Sequence, residues 1–135
     1  MKYLKLRTLI STNNFDWVSS TIIAAVLSNY TFNESHASLA EIEISGATTL
    51  STARLVNKSV TLDGWAASQA VTLPVVPLGG PYTVVLMVDT NGQSSGIYPL
   101  VAYTGANALT TTTNGDVLIR PENSLVLGVG KWFRF

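Results

Sequence analysis

Cysteine is absent from this chain of 135 residues. That removes disulfides, thiolate metal sites and cysteine nucleophiles together. Histidine occurs once, as His36. Charge is scarce as well: 12% of the residues carry it, about half the share of an average soluble domain. Eight basic residues offset eight acidic ones, and a net charge near zero favours association over self-repulsion. Binding to nucleic acid needs clustered Lys and Arg to neutralise phosphates. The bases here, Lys2, Lys5, Arg7, Arg54, Lys58, Arg120, Lys131 and Arg134, are scattered along the sequence. A fold that gathered the first three with the last two would make a small patch, but their bland reading is solvated rim charge. No nucleic acid partner is expected. Long apolar runs are missing too. The longest near the start, residues 22–27, falls far short of the ~20 residues that cross a bilayer. Lys2, Lys5 and Arg7 resemble the charged start of a leader, yet only Leu9 and Ile10 follow before the polar Ser11, Thr12, Asn13 and Asn14. The expectation is a soluble protein made in a cytoplasm, with no membrane partner.

Hydrophobic residues make up 47% of the chain. A chain of this length buries roughly 65–70% of its unfolded surface in one core. No repeat or linker divides it, so residues 1–135 are expected to form a single domain. Residues 3–10 are ambiguous: Leu6, Leu9 and Ile10 have helical spacing, while Leu4, Leu6, Thr8 and Ile10 alternate as a strand does. Thr21, Ile22, Ile23, Ala24, Ala25, Val26 and Leu27 predict a strand apolar on both faces. Residues 36–42 suit one or two helical turns, with Ser35 placed to cap them. Residues 55–62 alternate as a strand, Asp63-Gly64 supplies a tight hairpin turn, and residues 65–73 predict the return strand. Pro74, Pro77 and Pro81 with Gly79-Gly80 predict a connection or an edge. Residues 83–88 give the strongest buried strand. Residues 89–96 predict a loop, and 97–103 a strand returning from it. The Thr run at 110–113 suits a strand approach or an exposed loop. Asn114-Gly115 predicts a turn, and residues 116–120, 125–129 and 132–135 short closing strands. The fold class is therefore all-β: a single-domain antiparallel β-sandwich or barrel-like packing with one or two short helices.

The equipment for chemistry is thin. His36 lies beside Ser35 and close to Ser38, but sequence neighbours do not make a triad, and no Gly-x-Ser-x-Gly elbow exists. Its bland reading, orienting or capping a short helix, is preferred. The carboxylates are Asp16, Glu34, Glu41, Glu43, Asp63, Asp89, Asp116 and Glu122. Asp63, Asp89 and Asp116 sit in turns or loops, where a short carboxylate bonds the backbone. Glu41 and Glu43 flank Ile42 and are expected to face solvent. No pair suggests the opposed carboxylates of sugar hydrolysis. Asp89-Thr90-Asn91-Gly92 echoes a calcium loop without its later acidic ligand, and Gly79-Gly80-Pro81 lacks the Lys and helix start of a phosphate cradle. Catalytic residues, cofactors and metals are all expected to be none. The triplets beginning at Asn29, Asn33 and Asn57 match glycosylation acceptors, and carry no weight without a leader. Trp17, Trp65 and Trp132, with five Tyr and four Phe, are read as core or interface anchors before a sugar-stacking platform.

The order of motifs resembles a family of short, β-rich virion structural proteins of tailed bacteriophages. Residues 15–27 (Phe-Asp-Trp-Val-Ser-Ser-Thr-Ile-Ile-Ala-Ala-Val-Leu) resemble that family's Asn/Asp-Trp turn and its following Thr-Ile strand, with Tyr30-Thr31 at the expected distance. His36, Leu39 and Ile42 match its His, Phe-Leu and Asp-Ile segment. Residues 55–64 are similar to Leu-x-Gly-Lys-Thr-Val-Thr-x-Asp-Gly, and residues 84–89 to its central apolar strand ending in Asp. Residues 99–103 are similar to Pro-Leu-Ile-Ala-Tyr, and residues 114–119 to Asn-Gly-Gly-Asp-Ile-Thr-Ile. Trp132-Phe133-Arg134-Phe135 replaces an apolar close. The likeness runs in order from about residue 15 to the last. One departure is plain: the acidic stretch usual after Asp-Gly reads Trp65-Ala66-Ala67-Ser68-Gln69 here, so contacts made through those acids do not carry over.

The resemblance implies a many-copy virion component, located in the virion and assembled in the host cytoplasm. Such a protein decorates or cements the capsid, or forms part of the tail, and brings no catalytic residues. Its partners would be other virion proteins, the major capsid or tail proteins, and copies of itself in a small ring such as a trimer. Candidate interface residues are Trp65, Trp132, Phe133 and Phe135, with simple core packing as the other reading of each. The alternative is a tail-borne module that binds host-surface glycans through the loop at 89–96 with Tyr98 and Tyr103. A cell-wall hydrolase lacks the acid, base and metal residues that it needs.

Overall fold

The structure, a computed structural model, describes residues 2–13, 15–89, 98–103, 109–111, 115–119 and 129–135. Its elements are α1 (Leu4–Ser11), β1 (Ile22–Ser28), α2 (Leu39–Ile44), β2 (Thr48–Arg54), β3 (Ser59–Val60), β4 (Trp65–Gln69), β5 (Val71–Val76), β6 (Gly79–Val88), β7 (Leu100–Tyr103), β8 (Leu109–Thr111), β9 (Gly115–Ile119) and β10 (Val129–Arg134). Half the chain is strand, so the class is all-β with two short helices. None of the described helices is long and apolar enough to cross a membrane.

The main sheet is antiparallel in the order β2-β1-β6-β7, with β8 also pairing β6. Strand side chains alternate between faces, and the β1/β6 register shows what each face carries. Ile22 opposes Val88, Ala24 opposes Leu86 and Val26 opposes Val84. These six belong to one apolar cluster with Leu73 and Val76 of β5, Ala66 of β4, Phe133 of β10 and Trp17. The intervening Ala25, Leu27, Val85 and Met87 join a second cluster with Leu39 and Ile42 of α2, Tyr3 and Leu100. The near-continuous apolar run of β1 follows from being covered on both sides. One cover is a layer split between the sheets β10-β4-β3 and β5-β9; the other is α2 with the segment around Tyr3.

Several elements differ from the sequence-based expectation. The ambiguous stretch 3–10 is helical from Leu4, in α1, with Leu6 and Leu9 buried. Tyr3 precedes it in extended backbone, its N–H donating to the Val101 carbonyl at 3.1 Å. The second helix starts at Leu39 and not at His36, and its N-cap is Ser38. Ser35 does not cap it, because both its N–H and its hydroxyl bond the Asn33 side chain. The expected strand over 55–62 shrinks to β3, while β2 supplies the long partner of β1. The expected return strand breaks at Ala70: β4 pairs β3 and β10, whereas β5 pairs β9. β5 runs through Pro74 because the register shifts between Leu73 and Val76. There Val75 takes a φ of 50° and its N–H donates to the Asp116 carboxylate at 3.1 Å. A proline is tolerated at such a bulge, where no ladder hydrogen bond is required of it. Pro81 likewise falls inside β6. β8 pairs β6 and β9 pairs β5, and Asn114 of the turn expected at Asn114-Gly115 lies outside the described residues. The Asp63-Gly64 turn is present: Gly64 has a φ of 87°, and the Thr61 N–H donates to the Trp65 carbonyl at 2.9 Å. Most of the loop expected at 89–96, and of the strand expected at 125–129, lies outside the described residues.

Candidate docking surface

The four residues expected at an interface do not share one environment. Phe133 is 4% exposed and meets the Trp17 ring edge-on at 5.5 Å, so within this chain it is core. The Trp17 Nε1 donates to the Ala67 carbonyl at 3.0 Å, which fixes the indole beneath it. Trp132 lies beside a register shift in β10; it is half-buried, and its Nε1 donates to Ser68 Oγ at 2.6 Å. Trp65 opposes Arg134 across β4 and β10 and is half-buried. Phe135 is 45% exposed. Its N–H donates to the Gly64 carbonyl at 2.9 Å, and its ring leans on Phe133 and Phe15. Phe135 thus joins the β3–β4 hairpin to α1.

On the α1 side, Phe135 lines a groove of about 440 Å³ with Lys2, Tyr3, Leu4, Leu6, Arg7, Ile10, Phe32 and Glu34. The helix explains the composition. Tyr3, Leu6 and Leu9 point inward, while Leu4, Arg7 and Ile10 recur every third residue on the outer side. Leu4 is 43% and Ile10 48% exposed. The Leu4 N–H donates to the Glu34 carbonyl at 2.9 Å, which ties the helix start to the loop after β1. The Tyr3 ring packs on Phe32 at 5.2 Å. Its hydroxyl bonds that of Tyr30 at 2.7 Å, and Tyr30 bonds His36 Nδ1 at 3.1 Å. With Tyr3 donating to Tyr30, and Tyr30 to Nδ1, each hydroxyl proton has an acceptor. Burial pushes the Tyr3 hydroxyl well above the usual phenol range, and its bond to Tyr30 adds to the rise. Burial raises Tyr30 as well. His36 therefore braces the groove floor through two tyrosines; it does not cap α2.

On the hairpin side, Leu62 is fully exposed, with Val56 and Val60 about half exposed. Thr61 holds the turn: its hydroxyl donates to the Asp63 carboxylate at 2.5 Å and accepts the Trp65 N–H at 3.0 Å. The Arg134 guanidinium caps the Asp63 carbonyl at 3.0 Å.

Six of the described carboxylates have hydrogen-bond partners within the chain, Asp63 and Asp116 among them. Asp16 accepts the N–H groups of Val18 and Ser19. Asp89 pairs with Arg54 at 3.2 Å, Glu41 accepts the Ala37 N–H at 2.7 Å, and Glu43 accepts the Thr49 hydroxyl at 3.1 Å. Among the described residues no group of three or more His, Asp or Glu could hold a metal ion. Lys58 donates to the Ser20 carbonyl and lies over the Trp17 ring. Burial lowers its pKa, with Asp16 acting in the opposite direction. Tyr98 and Tyr103, the aromatics of the glycan alternative, pack against the cluster beneath α2. Tyr103 stacks on Phe32 at 4.5 Å, so one face of its ring is already covered.

The sequence reading missed Leu4, Arg7, Ile10 and Leu62. A helical assignment for residues 4–11 exposes the first three at once, since they recur every third residue. Leu62 sits directly before an Asp-Gly turn, where a side chain projects from the hairpin tip. Compared with family models, with curated proteins and with solved structures, the chain matches none.

Proposed function

We propose that the protein is a structural component of a tailed-phage particle, decorating or cementing the capsid or forming part of the tail. It works by burying apolar surface against neighbouring subunits and carries out no reaction. The observation that carries this reading is the β3–β4 hairpin. A tight turn held by Thr61 and Arg134 presents Leu62 entirely to solvent, beside Val60 and Val56. Burying one such aliphatic side chain is worth about 1.5–3 kcal/mol, and a rigid tip loses little entropy when it docks. Repeated over many copies, contacts of this size hold a shell together. The low charge and the ordered likeness to short virion proteins point the same way.

The test is the composition and stability of the particle. Purified virions of the phage that encodes the chain should contain it in stoichiometric amount by mass spectrometry. Virions made without it should lose infectivity at lower temperature, or on osmotic shock. Virions free of the protein would refute the reading.

A further inference from the structure

The two helices carry opposite charge. α1 bears Lys5 and Arg7, with Lys2 just before it, and no acid; α2 bears Glu41 and Glu43 and no base. Each also presents apolar side chains to solvent. In α1 these are Leu4 and Ile10, which wall the groove with Phe135. In α2 it is Ile44, 85% exposed at the helix end. α2 anchors itself through Leu39 and Ile42, both buried, while Ile44 stays largely open to solvent. No α2 residue lines the groove of its own chain.

We infer that the groove of one copy takes the end of α2 from a second copy, with Ile44 entering between Leu4, Ile10 and Phe135, and Glu43 facing Arg7 and Lys2. Chemistry selects this occupant. The groove lining carries two bases, Lys2 and Arg7, against one acid, Glu34, so a contact of groove against groove would set a net positive surface against its own copy, which opposes association. The α2 end offers the reverse sign beside an aliphatic side chain. Glu43 bonds Thr49 through Oε1, which leaves Oε2 to a cation. The groove, at about 440 Å³, suits a side chain and its flanks, not a whole helix. Joining two different patches, the contact closes either a pair that exchanges α2 ends or a ring. A net charge of zero imposes no long-range barrier to either. The contact needs only a second copy of this chain, so it stands or falls apart from the virion reading.

The experiment is sedimentation of the purified full-length chain over a range of concentration, with Ile44→Ser, Glu43→Lys, Arg7→Glu and the double variant Arg7→Glu/Glu43→Lys. All three positions are exposed, and far-ultraviolet circular dichroism checks that each variant is folded. The wild type should associate. Each single variant should weaken association by about tenfold or more, and the double variant should recover most of that loss, as an exchanged ion pair does. A wild type monomeric up to about 1 mM would overturn the inference. So would single variants that associate like the wild type, or a double variant no better than the two singles.

Discussion

The two faces of the β1/β6 pair are sealed by different means. On one, Leu86, Ala24 and Val26 meet strands from two other sheets, with Trp17 and Phe133 filling between them. The buried polar groups near this side are bonded to the backbone: Ser68 donates to the Gln69 carbonyl and Ser51 to the Pro74 carbonyl. On the other face, Met87, Val85 and Leu27 lie beneath the short helix α2 and the Tyr3 ring. The seal there is completed by a hydrogen-bond chain from Tyr3 through Tyr30 to His36. The first face is covered largely by hydrogen-bonded strands, with Leu6 and Leu9 of α1 and Trp17 completing it. The second rests on six residues of helix and a tethered aromatic ring. The difference teaches that the same alternating strand serves as structural core on one side and as the support for outward-facing features on the other, since Tyr3 floors the groove and α2 presents Ile44.

The sharpest way to break this comparison is to remove equivalent bulk from adjacent positions of β6. Leu86→Ala, beneath the sheets, should cost about 3–5 kcal/mol, and Met87→Ala, beneath α2, about 2 kcal/mol, because a short helix settles into a cavity more readily than paired strands do. Urea denaturation of both variants measures it, and equal losses would remove the distinction.

Tyr3→Phe leaves the packing in place and removes one link of the chain, at a cost of about 1 kcal/mol near neutral pH. The same residue sets the alkaline behaviour. In the folded chain Tyr3 keeps its proton where the unfolded chain has lost it. Its contribution is therefore complete below about pH 10 and falls as pH rises beyond that value. Thermal melts from pH 8 to 12 (a range of about four units around the phenol value) should show a steep alkaline loss in the wild type and a shallower one in Tyr3→Phe. Lys58 acts with the opposite sign, on the first face. Burial disfavours its charged form, so between its lowered folded value and the ordinary lysine value of about 10.4 the unfolded chain binds more protons, and stability rises with pH. In Lys58→Met that rise should vanish from the same melts.

The smallest effect on stability is expected at the hairpin tip. Leu62→Ser should change unfolding free energy by no more than about 0.5 kcal/mol, while lowering the occupancy of the protein in assembled particles, read by quantitative mass spectrometry.

Much of this arrangement was legible in the residues. The doubly apolar run from Ile22 to Leu27 marked a strand with cover on both sides, and Asp63-Gly64 marked a turn. The broken strand at Ala70 was not legible: the alternation of residues 65–73 continues through it, and only the separate partners of β4 and β5 divide it. Val75 hid its bulge, because a β-branched residue at positive φ is held there by Asp116, 41 positions away in sequence. The groove was hidden for a different reason. Leu4 fits the strand alternation and Ile10 either period, and nothing near them in sequence announces that Phe135 and Phe32 will close the other wall. From sequence His36 suits orienting or capping a short helix, because its partners, Tyr30 and through it Tyr3, are joined only by the fold.

The most direct test of the claim that this chain acts through its surface is an electron cryo-microscopy map of the assembled particle. Leu62 and Val60 should be buried against a neighbouring virion protein, in every copy. A particle in which the hairpin faces open solvent, or in which this chain has no density at all, would contradict it.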